Sequence, residues 1–145
     1  MAKNYSVYSF KDVRCVFNHP DIGQRILSDE GMGKITIQMA GDMSSHTQTA
    51  NGYTVVNRLE SNNGTVTIEL PQNSPSDLFI QKALRYLKQC SSDRFALASV
   101  TVYDSASKLL YQADGVTPQK KPDRTFDTAA GMIAYAFLSA NIEDQ

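Results

Sequence analysis

Two short segments of the sequence alternate apolar and polar residues with a period of two. Residues 34–39 (KITIQM) carry isoleucine, isoleucine and methionine at every second position, and residues 65–70 (TVTIEL) carry valine, isoleucine and leucine in the same way. Successive side chains of a β-strand point to opposite faces, so the apolar side chains of each segment share one face. The sequence therefore predicts half-buried strands and a fold based on a β-sheet.

Several other segments are also rich in β-forming residues. They predict strands at residues 5–10, 13–17 and 53–59, and a hairpin-like pair at 95–103 and 108–113. The last apolar run, 129–140, has enough alanine to suit a helix, but its alternation favours a strand. Polar stretches between these segments predict a loop at 18–33, a long exposed hairpin or loop at 41–52, and a basic loop at 117–124.

One segment has the pattern of an α-helix. Ser74 can cap its start, Pro75 suits its first turn, and Asp77 follows three residues after the cap, as in a capping box. Apolar residues then recur at the spacing i, i+3, i+4, i+7 and form one stripe, which must pack against a sheet. The residues of this stripe are Ile80, Ala83, Leu84 and Leu87.

The tripeptide Asn63-Gly64-Thr65 is both a glycosylation sequon and a possible hairpin turn. The first residues, MAKNYS, lack the apolar core of a signal peptide, so we expect no secretory route. The sequence therefore favours a tight Asn63-Gly64 turn that joins strands 53–59 and 65–70.

These segments together predict a mainly β fold, with sheets that form a sandwich or barrel and one packed α-helix. The 145 residues are expected to form a single domain, 1–145. Cys15 and Cys90 are expected to be buried free thiols in a reducing compartment, with one disulfide as the alternative. The longest apolar run, residues 129–140, is too short to cross a membrane.

Charge and reactive residues narrow the function classes. The chain has 14 basic and 15 acidic residues, a net charge of −1, which does not favour a protein that grips nucleic acid. His46 beside Ser44 and Ser45 could suggest a hydrolase, but an exposed polar loop is the simpler interpretation, and His19 before Pro20 resembles a turn residue. The sequence therefore predicts no catalytic residue and no cofactor.

Two further clusters of polar residues are candidate sites. Asp42 and His46 are too few to make a metal site. Lys120, Lys121 and Arg124 form a basic cluster that could contact phosphates or an acidic partner surface, although solvated charge is the simpler interpretation. We therefore expect no metal.

Three segments carry a family resemblance. Residues 8–13 (YSFKDV), 33–37 (GKITI) and 62–70 (NNGTVTIEL), the last followed by a helix, resemble a tail tube protein of contractile-tailed bacteriophages. The order of elements is similar over most of the chain. These motifs are structural rather than catalytic.

The resemblance implies a structural virion protein of the tail, assembled in the host cytoplasm. Its subunits would form stacked hexameric rings, a tube through which viral DNA passes without specific binding. Its partners would be its own copies and the sheath, tape-measure, baseplate and tail terminator proteins, with no membrane binding. The alternatives are a β-sandwich adaptor or tail-completion protein, and the inner tube of a contractile injection device.

The resemblance also assigns two sets of candidate residues. A conduit for DNA should be neutral or acidic, because each cation that neutralises a phosphate adds affinity; Lys34 departs from this expectation. The candidates for lining the lumen are Lys34, Thr36, Gln38, Thr65, Thr67 and Glu69. The candidates for a loop that contacts the neighbouring ring are Asp42, Met43, Ser44, Ser45, His46, Thr47, Gln48, Thr49 and Asn51.

Overall fold

The computed structural model describes residues 4–31 and 33–145. It is mainly β, with 46% of residues in strands, and it has one main helix, as the sequence predicts. Within the described residues, the strands are β1 (Val13–His19), β2 (Gly23–Ile26), β3 (Ile35–Met39), β4 (Ser44–Gln48), β5 (Thr54–Arg58), β6 (Gly64–Pro71), β7 (Ala98–Asp104), β8 (Leu109–Pro118) and β9 (Met132–Asp144). The helices are α1 (Pro75–Gln89) and the short α2 (Ser92–Phe95), with single 3-10 turns at Phe10–Asp12 and Leu27–Glu30.

Seven of the strands form one sheet in which every neighbouring pair is antiparallel. Their order is β2-β1-β7-β8-β9-β6-β3, and β4 and β5 form a separate two-stranded hairpin. The predicted strands at 13–17, 34–39, 53–59, 65–70 and 108–113 are therefore confirmed. The segment 95–103 forms a strand from Ala98 onward, and the ambiguous run 129–140 is a strand, β9.

The large sheet curves strongly around the core. Helix α1 contacts both β2 and β6, which are the first and sixth strands of the sheet order. In a flat sheet these strands would be about 24 Å apart, and β1 and β9, the second and fifth strands, would be about 14 Å apart. The rings of Phe17 in β1 and Phe137 in β9 also meet, with centroids 5.8 Å apart. The sheet must therefore bend so that distant strands share one core.

Helix α1 forms where the sequence predicts it. The Ser74 hydroxyl accepts a hydrogen bond from the Asp77 backbone N–H at 3.2 Å, and Ile80, Ala83 and Leu87 are buried. The expected capping box is incomplete, because the Asp77 carboxylate accepts its backbone hydrogen bond from Asn73 at 3.0 Å instead of from Ser74. The helix covers the sheet face that carries the aliphatic side chains of β6.

The predicted strand at residues 5–10 is wrong. Residues 5–9 pair with no strand, and a 3-10 turn begins at Phe10, where the Ser9 hydroxyl accepts a hydrogen bond from Lys11 at 3.3 Å. Tyr5, Val7 and Tyr8 are all more than 70% exposed. A β-rich sequence forms a strand only where a neighbouring strand offers backbone partners, and this segment has none among the described residues.

The predicted loop at 18–33 is only partly correct. β2 lies within it and pairs with β1, from Val16 opposite Ile26 to His19 opposite Gly23. β2 is a short edge strand with mostly polar residues, so the alternation that marks half-buried strands is absent. The prediction of His19 as a turn residue is wrong, because His19 is the last residue of β1 and is fully buried.

His19 joins two parts of the chain through both ring nitrogens. Its Nδ1 accepts a hydrogen bond from the Asp21 N–H at 3.0 Å, and its Nε2 lies 2.9 Å from the Arg94 carbonyl oxygen. Since the Asp21 N–H can only donate, the ring is the neutral tautomer with its proton on Nε2. His19 thereby connects the end of β1 to α2.

The predicted tight turn at Asn63-Gly64 is also wrong. Gly64 is the first residue of β6 and lies opposite Met39 of β3, while β5 pairs with β4 rather than with β6. A Cβ atom at Gly64 would overlap the carbonyl oxygen of Gln38 and would lie 2.8 Å from Cδ1 of Ile142. Gly64 is therefore required because Gln38 of β3 and Ile142 of β9 lie too close for a side chain at this position. Its backbone φ is not among the positive values that a tight turn would need.

Candidate assembly surfaces

The six candidate lumen residues lie together on one face of the sheet. β3 and β6 are antiparallel, with Thr36 opposite Thr67 and Gln38 opposite Thr65. The same register continues to Lys34, whose carbonyl oxygen accepts a hydrogen bond from the Glu69 N–H at 3.0 Å. The structure thus arranges the six residues as three cross-strand pairs.

The other face of the same strands is the core. Val66, Ile68 and Leu70 of β6 are at most 1% exposed, and Ile35 and Ile37 of β3 pack against them. The predicted division of β6 into an inward and an outward face is confirmed. Met39 is the exception in β3, because at the end of the strand it is 43% exposed.

The outward face of β6 continues onto β9, where its residues are apolar. Thr65 lies opposite Leu138, Thr67 opposite Ala136 and Glu69 opposite Ala134. The alternation of small residues with Ile133, Tyr135 and Phe137 was a signal for this face, but the neighbouring strand could not be identified from sequence. The residues of β9 that adjoin the polar face are Ala134, Ala136 and Leu138.

Lys34 does not give this face a net positive charge. Its register partner is Glu69, the only acidic residue among the six candidates, so the two formal charges on the face cancel. The remaining four candidates are neutral hydroxyl and amide side chains. The face therefore offers small polar groups without a cluster of cations.

The segment 41–52, predicted as a long exposed hairpin or loop, supplies β4 and the turn of the hairpin β4-β5, whose second strand lies in the predicted strand 53–59. All nine candidate residues between Asp42 and Asn51 are exposed, and Val55 and Val56 of β5 are exposed as well, at 43% and 65%. Val55 and Val56 are consecutive residues of a strand, so their side chains lie on opposite faces of the ribbon. Both are exposed, so neither face of the ribbon packs on the chain's own core. This is the pattern of a segment that packs against another protein.

Local hydrogen bonds stiffen this hairpin. The Asn57 side-chain amide donates to the hydroxyls of Ser45 at 3.2 Å and Thr47 at 3.0 Å across the strands. At the base, a Cβ atom at Gly41 would lie 2.8 Å from the Ser61 hydroxyl oxygen, so the two ends of the hairpin leave the domain side by side. The hairpin is thus a separate projection with a narrow base.

The two ends of the large sheet are open edges. Within residues 4–31 and 33–145, no strand pairs with the outer edge of β3 or of β2. The hydrogen bond from Ala40 N–H to the Asn63 carbonyl shows that even-numbered positions of this segment face β6, so the Ile35, Ile37 and Met39 backbones face outward. An open edge offers backbone donors and acceptors to another strand.

The possible hydrolase residues do not form a site. His46 is exposed in β4 opposite Val56, and no hydrogen bond or ion pair joins it to a carboxylate among the described residues. No group of three or more His, Cys, Asp or Glu side chains in the described part of the chain could hold a metal ion. No helix among these residues is long and apolar enough to span a membrane.

Both cysteines are free thiols; Cys15 is buried as predicted, but the predicted burial of Cys90 is wrong, because Cys90 ends helix α1 and is partly exposed. Burial raises the pKa of the Cys15 thiol to about 12. A buried thiol that keeps its proton is a poor nucleophile, because the thiolate is the reactive form. Cys15 therefore belongs to the core.

The basic loop is partly structural, which corrects the interpretation of Arg124 as solvated charge. Arg124 Nη2 donates to both carboxylate oxygens of Asp77, and its side chain is only 17% exposed. Burial lowers the pKa of Arg124, but the hydrogen bond and the negative charge of Asp77 outweigh this effect and raise it overall. Lys120 and Lys121, in contrast, are exposed.

Tyr135 completes this buried network. Its hydroxyl donates to Asp77 Oδ1, and Tyr135 is 2% exposed. Burial raises the pKa of the Tyr135 hydroxyl, and the hydrogen bond to Asp77 raises it further. The network fixes the segment that follows β8 against the start of α1.

Known proteins resemble this chain in sequence and fold. The family model for the bacteriophage PhiTE tail tube protein matches residues 5–145. No curated protein sequence matches the chain. A chain of the anti-feeding prophage (AFP) baseplate has the same fold, with a TM-score of 0.65 at 11% identity over 100% of this chain and 97% of that one.

Two further solved structures come from an extracellular contractile injection system, PVC. A chain of its sheath/tube terminator in the extended state has a TM-score of 0.61 at 7% identity and covers 99% of both chains. A chain of its sheath-tube complex has a TM-score of 0.60 at 8% identity, over 98% of this chain and 93% of that one. At these identities the likeness shows the fold, whereas the family match spans nearly the whole chain and confirms the resemblance seen in the sequence. The protein belongs to the bacteriophage PhiTE tail tube protein family.

Proposed function

We propose that this chain is a structural subunit that assembles into hexameric rings, which stack into the tube of a contractile phage tail. The observation that carries the proposal is the open edge of β3, next to the polar face of β3 and β6. A neighbouring subunit can continue the sheet at this edge, and six such junctions would close an inner barrel without edges. Family membership supports the same assignment.

The polar face is the proposed wall of the lumen. Thr36, Gln38, Thr65 and Thr67 present neutral groups, and Lys34 is balanced by Glu69 across the strands. A wall without excess cations gives DNA phosphates no strong binding partner, so DNA slides instead of sticking. In this role the protein needs no catalytic residue, cofactor or metal.

The hairpin β4-β5 is the proposed contact between rings. It projects from the domain, and its exposed apolar residues, such as Val56, need a partner surface. The open edge of β3 would then make the contacts within a ring, and the hairpin would make the contacts between rings.

The further partners are proposed from the same family and fold. Solved structures with this fold come from a sheath-tube complex, a baseplate and a tube terminating cap. We extend these associations to sheath, baseplate, terminator and tape-measure proteins of a phage tail, with assembly in the host cytoplasm.

Negative-stain electron microscopy of the purified protein tests the proposal. We expect rings with six-fold symmetry, or tubes, at high protein concentration. The variant Met39→Pro removes one outward N–H at the open edge without disturbing the pairing with β6, and should leave folded single subunits. Met39→Ala is the matched control and should still assemble. Monomers alone at high concentration would overturn the proposal.

The same images address two alternatives. The shared fold with a sheath/tube terminator favours a tail-completion or adaptor protein as the second candidate. That candidate predicts rings that never stack, whereas the tube subunit predicts long stacks. The inner tube of an injection device would also stack, and tubes isolated with their natural contents distinguish it by holding protein rather than DNA.

A further inference from the structure

A groove of about 760 Å³ runs along α1 on the side that does not face the core. One wall is a stripe of α1 at the spacing i, i+3, i+4, i+7, and the other is formed by residues 118–121, at and just after the end of β8. This volume is within the range of roughly 300–1,000 Å³ that is typical of ligand sites. The helix stripe consists of Gln81, Leu84, Arg85 and Lys88.

Four cations line this groove, two on each wall. Arg85 and Lys88 project from the helix, Lys120 and Lys121 lie on the opposite wall, and the lining contains no carboxylate. None of the four has an ion-pair partner among the residues that the structure describes. The groove therefore concentrates positive charge in a protein whose net charge is −1.

The other arginines of this region show that carboxylates are available nearby. Arg124 binds Asp77 at 2.9 Å, and Arg94 lies 3.8 Å from Asp21. The cations of the groove are thus unpaired although carboxylates occur nearby: Asp77 and Asp21 serve other partners, and the exposed Asp123 forms no ion pair with them. Like charges gathered without counter-charges repel one another, and a bound anionic group removes this repulsion.

The groove also has an apolar surface. Leu84 is partly buried against the core, Phe95 is 37% exposed, and Pro118 ends β8 beside them. A ligand with charge alone would leave this surface in water. The lining therefore fits a chain segment that carries both acidic and large apolar side chains.

The second wall is held in place before any ligand binds. Arg124 anchors the segment after β8 to Asp77, only three residues from Lys121, and Tyr135 supports the same carboxylate. A preformed wall reduces the entropy that is lost on binding.

We propose that this groove binds an acidic segment of a partner polypeptide, with glutamate or aspartate side chains at the four cations and an apolar side chain at Leu84 and Phe95. A second copy of this chain is a poor occupant, since its sequence has no run of more than two acidic residues. Nucleic acid is also disfavoured, because Phe95 is the one aromatic ring in the lining, whereas single-strand binding stacks successive bases on several rings.

Fluorescence anisotropy with the full-length protein tests this proposal without requiring assembly. The probe is a fluorescein-labelled nine-residue peptide of glutamate and leucine, and the comparison peptide has glutamine in place of every glutamate. We expect the acidic peptide to bind about tenfold more tightly, with an affinity that falls as salt rises. A twelve-nucleotide single-stranded DNA serves as the competing anionic probe and should bind more weakly than the acidic peptide.

Matched variants locate the binding. Lys120→Gln/Lys121→Gln should lower the affinity for the acidic peptide by about five- to tenfold, as expected for the loss of two partly exposed ion pairs. Lys11→Gln/Lys82→Gln makes the same change in net charge outside the groove and should have little effect. Arg85→Gln probes the opposite wall.

Four results would overturn the proposal: no preference for the acidic peptide, equal losses in the two double variants, no loss in Arg85→Gln, or tighter binding of DNA. All of the substituted side chains are exposed, and thermal melts verify that each variant is folded.

Discussion

Arg124 and Asp77, which are 47 residues apart in sequence, form a buried ion pair in which one guanidinium nitrogen donates to both carboxylate oxygens, at 2.9 and 3.0 Å. Asp77 is fully buried at the start of α1, and Arg124 lies in the segment between β8 and β9. The pair connects the helix to a stretch that has no regular structure of its own. It explains how an irregular segment can form a fixed wall on the protein surface.

Arg124→Met should destabilise the fold strongly. Removing one partner leaves a buried carboxylate without its counter-charge, and we expect a loss of about 3 kcal/mol in the free energy of unfolding. Urea denaturation followed by circular dichroism measures it. The double variant Arg124→Met/Asp77→Asn should lose less than the sum of the single variants, because it leaves no unpaired charge.

Arg58→Met is the matched control for this prediction. Arg58 pairs with Glu60 at 3.7 Å, but both side chains are more than 75% exposed, so little stability should be lost. Equal effects of the two arginine substitutions would show that the buried pair has no special role.

Gly64→Ala should destabilise the protein although alanine suits a strand no worse than glycine. The added Cβ would overlap the Gln38 carbonyl oxygen and press on Ile142, so β3 or β9 must shift, at a cost of about 1–3 kcal/mol. Thermal unfolding measures the effect. Gly131→Ala is the control, since a Cβ there meets nothing within 4 Å, and it should be neutral. A neutral Gly64→Ala would contradict the close packing of β3 on β6.

Cys15 should make the protein less stable in alkaline solution. Its pKa is raised by burial from 9.0 to about 12, so the unfolded chain releases the thiol proton at lower pH than the folded one. The contribution of Cys15 to the free energy of unfolding is therefore complete below pH 9. It is lost as the pH rises toward 12, by about 1.4 kcal/mol per pH unit. Urea denaturation at several pH values measures this slope.

Cys15→Ala isolates the contribution of the thiol. The variant should be less stable at neutral pH, because it leaves a small cavity, but the difference from the original protein should shrink above pH 9. Cys90→Ala, which keeps Cys15, should show the same decrease in the free energy of unfolding with pH as the original protein. A constant difference between the original protein and Cys15→Ala across this range would rule out the explanation.

Removal of the hairpin should separate folding from assembly. Residues 42–60 contribute no buried side chain, and Gly41 and Ser61 are adjacent, so joining them should leave the melting temperature nearly unchanged. A smaller deletion of 43–51 would remove β4 and leave β5 unpaired. If the hairpin connects rings, the shortened protein should form rings that do not stack in electron micrographs.

A milder variant tests the apolar residues of the hairpin alone. Val55→Thr/Val56→Thr keeps its length and both strands, and should weaken stacking without abolishing it. Tubes formed by the shortened protein at the normal rate would remove the hairpin from the proposed interface.

Much of the fold follows from local patterns in the sequence. The alternation in residues 34–39 and 65–70 was sufficient to identify β3 and β6, and it also separated their core faces from their polar faces. Ser74, Pro75 and the apolar stripe identified α1 in the same way. Each of these patterns involves residues that are close in sequence, within about two turns of a helix or a few residues of a strand. It is therefore visible without knowledge of the rest of the chain.

The pairing of distant segments was decided only by the tertiary structure. The sequence could not show that β6 pairs with β3 and β9 rather than with β5, that Gly64 is needed for close approach instead of a turn, or that residues 5–9 would find no partner strand. His19 and Arg124 look like surface residues in sequence, because the Arg94 carbonyl and the Asp77 carboxylate that bind them are 75 and 47 residues away. Local periodicity determines which face of an element is apolar, but only the packed chain determines which groups meet across it.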